Sequence, residues 1–376
     1  MGIHKFTFSP GLTRDFARFG YELYRGDPCW IPPSEEEAIA QLSPEFFFYR
    51  TPGNRHAHFL ATSGKKIVGR ISAMVNRELR DRDGQPVGAL GFFECVNDYA
   101  VARELLDSAI RWLCDDQGIR RIWGPMNFDI WHGYRLMTSG FDQKPFYGEP
   151  YNKPYYQDFF ERYGLAPKQH WNSVEIRGRK TLERLAEPGR ALFDSLKEQG
   201  YRFESLNPTR IREELLKLHF VVSRSFSGFL GYTPISSVEF QRLFFPVHYA
   251  AHPEFFLFAY DDADRLCGFV AGLLDLANAV RAMHGRNNWL AKSRFFYHRR
   301  LVDRTLLHLI GKTPEENHKH NGLGAALFSR AFRAISAKGY ETTVMTLMAQ
   351  GSPSRRFLQE LAGDDRRQYT LYEWNR

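Results

Sequence analysis

One arrangement of strands occurs twice in this chain, and no other sequence feature restricts the fold as strongly. In the first half, an apolar run that contains Phe lies at 58–61, and a polar turn follows it. Residues 66–75 come next: a basic residue, two apolar residues, a glycine and then a mostly apolar run. The second half repeats this order at 255–259 and 265–274. Short apolar runs joined by a polar turn indicate an antiparallel hairpin. The sequence therefore predicts the same hairpin twice, which favours two related domains.

The elements around the two hairpins also follow one order. In each half we predict a strand and a helix, the hairpin, and then strand, helix, strand, short helix and closing strand. The corresponding segments outside the hairpins are 5–9 and 201–206, 12–25 and 211–225, 87–96 and 305–310, 100–117 and 325–338, 121–123 and 341–348, 155–163 and 353–361, and 171–176 and 368–374.

This order predicts an α/β (α+β) protein with two tandem domains. Each domain is expected to have a mixed, mostly antiparallel central sheet flanked by helices. The predicted boundaries are 1–178 for the N-terminal domain, 179–200 for a linker helix and 201–376 for the C-terminal domain. Pro188-Gly189 is expected to interrupt the linker helix.

A glycine-rich stretch joins the strand pattern at 305–310 to the following helix pattern. It reads Lys-His-Asn-Gly-Leu-Gly-Ala over residues 319–325. Such a turn gathers backbone N–H groups at a helix N-terminus, which suits a phosphate, and Gly322 and Gly324 let a ligand approach the backbone. The spacing matches neither G-x-G-x-x-G nor a P-loop. A helix start without a ligand is the alternative interpretation.

The corresponding turn of the first half holds no glycine. Asn97-Asp98-Tyr99 leads directly from the strand into the helix, so a phosphate cradle cannot form there in the same way. We therefore predict that the second half binds the cofactor, and that the first half is a scaffold or contacts the substrate.

Residues 319–324 resemble the pyrophosphate loop of the GCN5-related N-acetyltransferases (GNAT), R/Q-x-x-G-x-G/A, with Lys319 at the first position. The element order is that of the GNAT fold. The whole chain is similar to the tandem-domain bacterial acyl-CoA N-acyltransferases, including a branch of bacterial ceramide synthases, through residues 91–94, 123–127, 139–141 and 150–156. The resemblance implies acyl-CoA as co-substrate and no metal. It places coenzyme A on Leu309, Ile310, Gly311, Lys319, His320, Asn321, Gly322, Leu323, Gly324 and Ala325.

Acyl transfer to an amine needs a polarised thioester carbonyl, a deprotonated amine and a proton for the leaving thiolate. His308 lies in the strand pattern, and a histidine near its ordinary pKa suits a base. Glu315 and Glu316 follow it, and a chain of water molecules is a further option. The candidate acids are Tyr369, Tyr372, Ser352 and Ser354. The structural alternatives are packing between strand and helix for the histidine, a solvated loop for the glutamates, core or edge packing for the tyrosines and a helix N-cap for Ser354.

Polar and aromatic residues of the first half are candidates for binding the acceptor. They follow a predicted strand end and are expected to line a cleft between the domains; turn formation and core packing are the alternatives. Asp129-x-x-His132 is too short a pattern to indicate a metal site. The acceptor candidates are Asn127, His132, Tyr151, Asn152 and Tyr155.

The formal net charge of +8 suits an anionic cofactor, an anionic membrane surface or nucleic acid. Residues 281–300 hold six Lys or Arg, two His and no acid, with aromatic residues interleaved. Basic and aromatic residues together favour an anionic membrane surface, and a solvated loop is the alternative. Nucleic acid is supported only by the net charge.

No apolar run is long enough to span a bilayer, and the start of the chain lacks the apolar region of a secretory signal. Cys29, Cys95, Cys114 and Cys267 show no metal-ligand spacing, and we predict buried thiols in a reducing compartment. The expected location is therefore the cytoplasm, with peripheral contact at the inner membrane face.

The leading hypothesis is an acyl-CoA-dependent N-acyltransferase that acts on a primary amine. The first acceptor class is a long-chain lipid amine such as a sphingoid base, which would give a ceramide-type amide. A small polar amine or amino acid is the alternative acceptor. A non-catalytic module that binds acyl-CoA or a partner protein is the alternative of another class.

Overall fold

The computed structural model describes residues 1–358 and 367–376 of this chain, and thirteen strands lie in these residues. The strands of the first half are β1 (Gly2–Phe6), β2 (Arg55–Ser63), β3 (Lys66–Arg80), β4 (Pro86–Cys95), β5 (Arg121–Gly124), β6 (Leu136–Ser139) and β7 (Ala166–Arg177). Those of the second half are β8 (Arg202–Ser205), β9 (Ala251–Tyr260), β10 (Leu266–Leu274), β11 (Arg304–Lys312), β12 (Thr342–Ala349) and β13 (Arg367–Asn375).

The helices lie along this sheet and in its connections. Those of the first half are α1 (Pro10–Leu23), α2 (Glu35–Ala40), α3 (Phe47–Arg50), α4 (Tyr99–Arg111) and α5 (Tyr156–Tyr163), and the linker holds α6 (Arg179–Ala186) and α7 (Arg190–Glu198). The second half contains α8 (Ile211–Ser225), α9 (Ser237–Phe244), α10 (Val247–Ala250), α11 (Ala277–Arg281), α12 (Trp289–Arg299), α13 (Pro314–Asn317), α14 (Leu323–Ala337) and α15 (Pro353–Leu358). The helix predicted at 353–361 begins as α15, and its remainder lies outside the described residues.

The thirteen strands form one sheet. Its order is β1-β2-β3-β4-β5-β13-β7-β12-β11-β10-β9-β8, and β6 pairs with β13 outside this path. Each half contributes one parallel pair, β4 with β5 and β11 with β12, whereas the other pairs are antiparallel. The predicted fold class, a mixed and mostly antiparallel sheet flanked by helices, is confirmed.

The closing strands are exchanged between the halves. The last strand, β13, pairs with β5 of the first half, whereas β7 pairs with β12 of the second half. β7 and β13 then pair with each other along nearly their whole length. The sequence analysis assigned each closing strand to its own half, and the structure differs because an alternating strand pattern does not specify the neighbouring strand. The divisions at 178 and 201 therefore separate the halves along the chain but not within the sheet.

The linker forms two helices, and its break falls at the predicted Pro188-Gly189. A 3-10 turn over Glu187–Gly189 joins α6 to α7. A side chain cannot be accommodated at Gly189, where a Cβ would lie 2.2 Å from the carbonyl oxygen of Ala325. Leu192 of α7 packs against Gly322, the residue before α14, since a Cβ on Gly322 would lie 2.8 Å from Leu192 Cδ1. The linker therefore supports the first turn of α14 from one side.

Apolar residues of α14 recur at helical spacing and pack on the sheet of the second half. Leu323, Leu327 and Ile335 are fully buried in one large cluster with β9, β10 and β11. The first half is built from several smaller clusters. Three of the four cysteines are buried as predicted, whereas Cys29 is only half-buried. Within the described residues, no helix has the length and apolarity to cross a membrane.

Candidate functional site

The parallel strands β11 and β12 separate part of the way along their length. They pair only from Arg304–Leu307 with Thr342–Met345. Beyond this point β11 keeps its pairing with β10 as far as Lys312, while Leu347 of β12 adopts a left-handed conformation with φ 52°. Leu309, Ile310 and Gly311 therefore have no partner in β12, and the divergence of the two strands leaves a cleft between them. These three residues are among those predicted to contact coenzyme A.

The N-terminus of α14 lies beyond the Lys312 end of this cleft. Gly322 is its N-cap in a left-handed conformation, φ 77°, and Ala326 N–H donates the first helical hydrogen bond to Gly322 O. Asn321 Oδ1 accepts from Leu323 N–H at 3.2 Å. The N–H groups of Gly324 and Ala325 therefore precede the helical hydrogen bonds. A Cβ on Gly324 would have no atom within 4 Å, so the space beside the first turn of α14 is open.

A buried polar network fixes the loop before α14. Glu316 accepts hydrogen bonds from Tyr201 at 3.0 Å and from Asn321 at 2.5 Å, and it pairs with Lys319 Nζ at 2.9 Å. The hydrogen bond to Tyr201, together with Glu316, holds the pKa of Lys319 above its ordinary value. Glu316 is thus engaged in positioning the loop rather than exposed in the cleft as a base. Glu315 is exposed and pairs with Arg224.

The corresponding place in the first half is closed. Helix α4 is capped by its own carboxylate, since Asp98 Oδ1 accepts from Ala100 N–H at 2.9 Å. β4 and β5 also separate, but Met126 N–H donates to Leu90 O at 2.8 Å and Asn127 Oδ1 accepts from Phe92 N–H at 2.7 Å. A negative side chain at the helix start opposes a phosphate, and the first half therefore offers no equivalent cradle.

His308 lies where β11 leaves β12. Its Nδ1 is 3.1 Å from Thr346 Oγ1. Burial, and secondly the charge of Arg135, lower the pKa of His308 to about 4. His308 is therefore neutral at pH 7 and accepts a proton only weakly, although its ring can still accept or relay a hydrogen bond.

We expect His308→Gln to lower kcat by roughly ten-fold, less than the roughly 10²- to 10⁴-fold typical of a lost general base. The pH profile of kcat between about pH 6 and 8 should keep its shape, because His308 does not titrate there. Steady-state rates of the two proteins across this range test the expectation. A shift of the acidic limb in the variant would show that His308 titrates near neutral pH and acts as the base.

The structure places Tyr369 and Tyr372 away from the glycine-rich loop. Both are buried on β13, Tyr372 among residues of the first half and Tyr369 in a cluster against which Leu347 of β12 also packs. Tyr369 donates its hydroxyl hydrogen bond to Glu149, and Tyr372 donates to Glu161 at 3.0 Å. The proposed proton donation to the thiolate assumed that the closing strand stays in the second half, where β7 lies instead. Ser352 Oγ accepts from Arg355 N–H at 3.3 Å, as expected of a helix cap.

A cavity of about 330 Å³ lies in the first half and brings together four of the five predicted acceptor residues. Asn127, His132, Tyr151 and Asn152 line it. Tyr155 does not, and its hydroxyl donates to Cys95 O at 2.9 Å.

The sequence analysis missed four charged residues that line this cavity: Arg70, Glu94, Arg135 and Glu149. Tyr24 and Tyr156 donate hydrogen bonds to Glu94, at 2.9 and 2.6 Å. Burial raises the pKa of Glu94, and the charge of Arg70 opposes this shift. In the sequence, each of these two is a charged residue inside an apolar strand pattern, Arg70 in β3 and Glu94 in β4. Glu94 also belongs to the segment 91–94 that carries part of the family resemblance.

Arg135 is the second buried arginine that lines this cavity. Its guanidinium stacks on Tyr134 and Trp171, with 4.0 and 4.5 Å to the ring centroids, and hydrogen-bonds to the Tyr134 hydroxyl. Within residues 1–358 and 367–376 no carboxylate forms an ion pair with it, and its buried Nε has no hydrogen-bond partner. Burial lowers the pKa of Arg135. Because its charge also acts on His308, Arg135 connects the cavity to the cleft.

Asp129 and His132 form a polar pair where the two halves meet. His132 Nδ1 is 2.8 Å from Asp129 Oδ1, and its Nε2 is 3.9 Å from Glu239 Oε1 of α9. Burial raises the pKa of Glu239 to about 7. The ligand atoms of these three residues lie within 4.8 Å of one another, although the sequence analysis predicted no metal. The hydrogen bond fixes the His132 ring against the cavity.

The overall fold matches solved structures of the GNAT class. A tandem GNAT protein from the clavulanic acid biosynthesis pathway aligns with a TM-score of 0.53 and 13% identity, covering 100% of this chain and 98% of that chain. A probable N-acyltransferase from Enterococcus faecalis V583 aligns with a TM-score of 0.51 and 9% identity, covering 100% of this chain and 73% of that one. No protein-family model matches the chain. The chain therefore has the tandem GNAT fold, as its sequence predicted.

Two curated relatives are more similar in sequence. Protein YghO of Escherichia coli K12 is 26% identical over 276 residues, 72% of this chain and 67% of the relative. The bacterial ceramide synthase of Caulobacter vibrioides is 27% identical over 239 residues, 62% of this chain and 60% of the relative. The chain spans 67% and 60% of the lengths of these two relatives.

Proposed function

We propose that this chain is an acyl-CoA-dependent N-acyltransferase whose donor binds in the cleft between β11 and β12. One observation carries the proposal: β11 loses its β12 partner at Leu309–Gly311, between His308, on which the charge of Arg135 acts, and the N-terminus of α14. The pyrophosphate would meet the N–H groups of Gly324 and Ala325. The pantetheine arm would extend along β11 and bring the thioester to His308.

The acceptor amine, in its neutral form, attacks the thioester carbonyl carbon. A C–N bond forms, the C–S bond breaks, the nitrogen loses a proton and the departing thiolate takes one up. Unpaired N–H groups of β11 polarise the carbonyl oxygen, and the positive charge of Arg135 stabilises negative charge that develops nearby. Neutral His308 passes the proton from the amine towards solvent without retaining it.

We further propose a long-chain lipid amine, such as a sphingoid base, as the acceptor. The relative named bacterial ceramide synthase supports this class. The buried charges of the cavity fit a head group that carries oxygen atoms beside its amine. A small polar amine or amino acid is the second candidate, since the unpaired Arg135 would also bind a carboxylate. A lipid acceptor would be taken from a bilayer, for which the basic segment 281–300 provides a contact.

Turnover distinguishes an enzyme from a binding module. The purified protein should release free CoA thiol from long-chain acyl-CoA when a sphingoid base is added, and less with a plain alkylamine that lacks oxygen. Thermal stabilisation by acyl-CoA without turnover on any amine would favour the non-catalytic module. The absence of both would remove the donor site from the β11–β12 cleft.

We expect Arg135→Gln to lower kcat/KM for the oxygen-bearing acceptor by roughly 100-fold, because a buried charged hydrogen bond is lost. Thermal stabilisation by acyl-CoA should be unchanged. Arg162→Gln is the matched control, since Arg162 also stacks on a tyrosine, Tyr99, but lies exposed on α5 outside the cavity. Equal rates for the two variants would remove Arg135 from the acceptor site.

A further inference from the structure

A second cavity lies in the second half, beside helix α12. It has a volume of about 610 Å³ and is lined by Arg281, His284, Arg294, His298 and Arg304, together with Asp275 and Asp303. Arg304 and Asp275 are paired with each other at 2.5 Å. Asp303 is exposed at the rim. The remaining lining charges are therefore mostly positive.

Arg281 lines this cavity and carries two guanidinium nitrogens that have no acceptor in the described residues. Its Nη1 donates to Asn278 Oδ1 at 2.9 Å. Its Nε and Nη2 are buried and have no hydrogen-bond partner in the described residues. These two nitrogens form one edge of the guanidinium, the edge that binds two oxygens of a phosphate or carboxylate together. A buried edge without an acceptor costs free energy, which an anionic ligand would recover.

The surface next to the cavity is apolar and basic. Trp289, Lys292, Phe296 and Arg300 follow one another at helical spacing on the exposed face of α12. Trp289 is 79% exposed and Phe296 is 47% exposed. On the other side of α12, Ala291 and Phe295 are buried and hold the helix against the protein. Exposed aromatic residues next to cations can contact an anionic membrane surface, where the rings lie at the level of the head groups and the cations attract anionic lipids.

The cavity is separate from the proposed coenzyme A site. Arg304, one of its lining residues, begins β11, whereas the glycine-rich loop follows the other end of that strand at Lys312. Nine residues of extended strand span roughly 26 Å. The donors of Arg281 therefore lie too far away to serve the pyrophosphate at α14.

We propose that this cavity binds the phosphate of an anionic phospholipid while the exposed face of α12 lies in the bilayer interface. The segment of six cations without an acid provides the charge complementarity to such a surface. Arg281 binds the phosphate oxygens inside the cavity, and Trp289 and Phe296 enter the boundary between head groups and acyl chains. The proposal rests on the membrane contact in the proposed function but is independent of the acyl-transfer chemistry.

Vesicle co-sedimentation tests this proposal with phosphatidylcholine vesicles, with and without phosphatidylglycerol. The protein should bind the anionic vesicles more tightly. Arg300→Gln removes one cation from the same helix face outside the cavity and should weaken binding roughly five-fold. Arg281→Gln removes one charge and the buried donors, and should weaken binding by more, roughly ten-fold or above. Arg82→Gln, in the distant turn between β3 and β4, should bind as the unmodified protein does.

Equal weakening by the Arg281 and Arg300 variants would overturn the head-group site, because a diffuse surface charge would then explain the binding. Stabilisation by inorganic phosphate without vesicle binding would also overturn it and assign the cavity to a soluble phosphate. Thermal stabilisation by acyl-CoA should persist in every variant, which separates this outcome from failure of the proposed function. If Arg281→Gln does not fold, Arg294→Gln at the exposed rim replaces it in the comparison.

Discussion

Gly324→Leu should abolish acyl-CoA binding and leave the fold intact. Gly324 is the second residue of α14, and a Cβ there would have no atom within 4 Å. Its backbone is not left-handed, so leucine can adopt it without strain. The added side chain would instead fill the space in front of the helix N-terminus, where we place the pyrophosphate. Affinity for acyl-CoA should fall by roughly 1,000-fold or more, because both the approach and the N–H contacts are blocked.

Stability should move little, or rise, since leucine favours a helix over glycine by roughly 1 kcal/mol. Isothermal titration with acyl-CoA measures the affinity, and a thermal melt without ligand measures the fold. Gly324→Ala is the matched control, because a methyl group is small enough to leave the N–H groups accessible. Tight binding by the leucine variant, with an unchanged melt, would show that the pyrophosphate does not lie at this helix.

A substitution at Gly322 would not separate acyl-CoA binding from folding of the loop. Its φ of 77° and the contact that an added Cβ would make with Leu192 mean that any side chain there strains the loop. A loss of activity at Gly322 would report the folding of the loop together with the ligand. The two glycines of the sequence pattern are therefore required for different physical reasons, which only the structure distinguishes.

The local elements could be predicted from the sequence because their signals are local. Helix α8 has the predicted bounds, and the break in the linker falls at Pro188-Gly189 as expected. The repeated hairpin, β2 with β3 and β9 with β10, is also present. In each case, neighbouring residues carry the information, either as periodicity or as a turn.

The candidate site was only partly predictable, because its parts meet through distant contacts. The glycine-rich loop could be found from its spacing, and so could Asn127, His132, Tyr151 and Asn152 of the cavity. Arg135 could not, since its importance comes from stacking on Trp171 and from having no carboxylate partner among the described residues, and neither is a sequence property. The positions of Tyr369 and Tyr372 could not be predicted for the same reason, because they depend on which strands pair with β13. Their residue type suits a proton donor, but the strand exchange places them elsewhere.

The exchange of β7 and β13 leads to the largest expected effect on stability. Arg367, the first residue of β13, is 2% exposed and pairs with Glu149 of the first half at 3.1 Å. It also donates to Gln143 Oε1 and to Lys144 O, each at 2.7 Å. Glu149 in turn accepts from Tyr369 on the same strand. One guanidinium thus attaches the end of the chain to the first half.

We expect Arg367→Met to lower the free energy of unfolding by roughly 3–5 kcal/mol, because it leaves the Glu149 carboxylate buried without its partner. Urea denaturation followed by tryptophan fluorescence measures the loss. Arg376→Gln is the matched control at the end of the same strand, since its ion pair with Asp115 is exposed and its removal should have no measurable effect.

The double variant Arg367→Met with Glu149→Gln should recover part of the lost stability, because a neutral amide no longer leaves a charge unpaired. The amide oxygen of the new side chain can still accept one of the two hydrogen bonds that Tyr369 and Phe146 N–H donate to separate oxygens of the Glu149 carboxylate, so only part of the stability should return. A loss of stability that the second substitution does not relieve would contradict the ion-pair explanation. The backbone pairing of β7 with β13 would then hold the halves together without help from the buried charges.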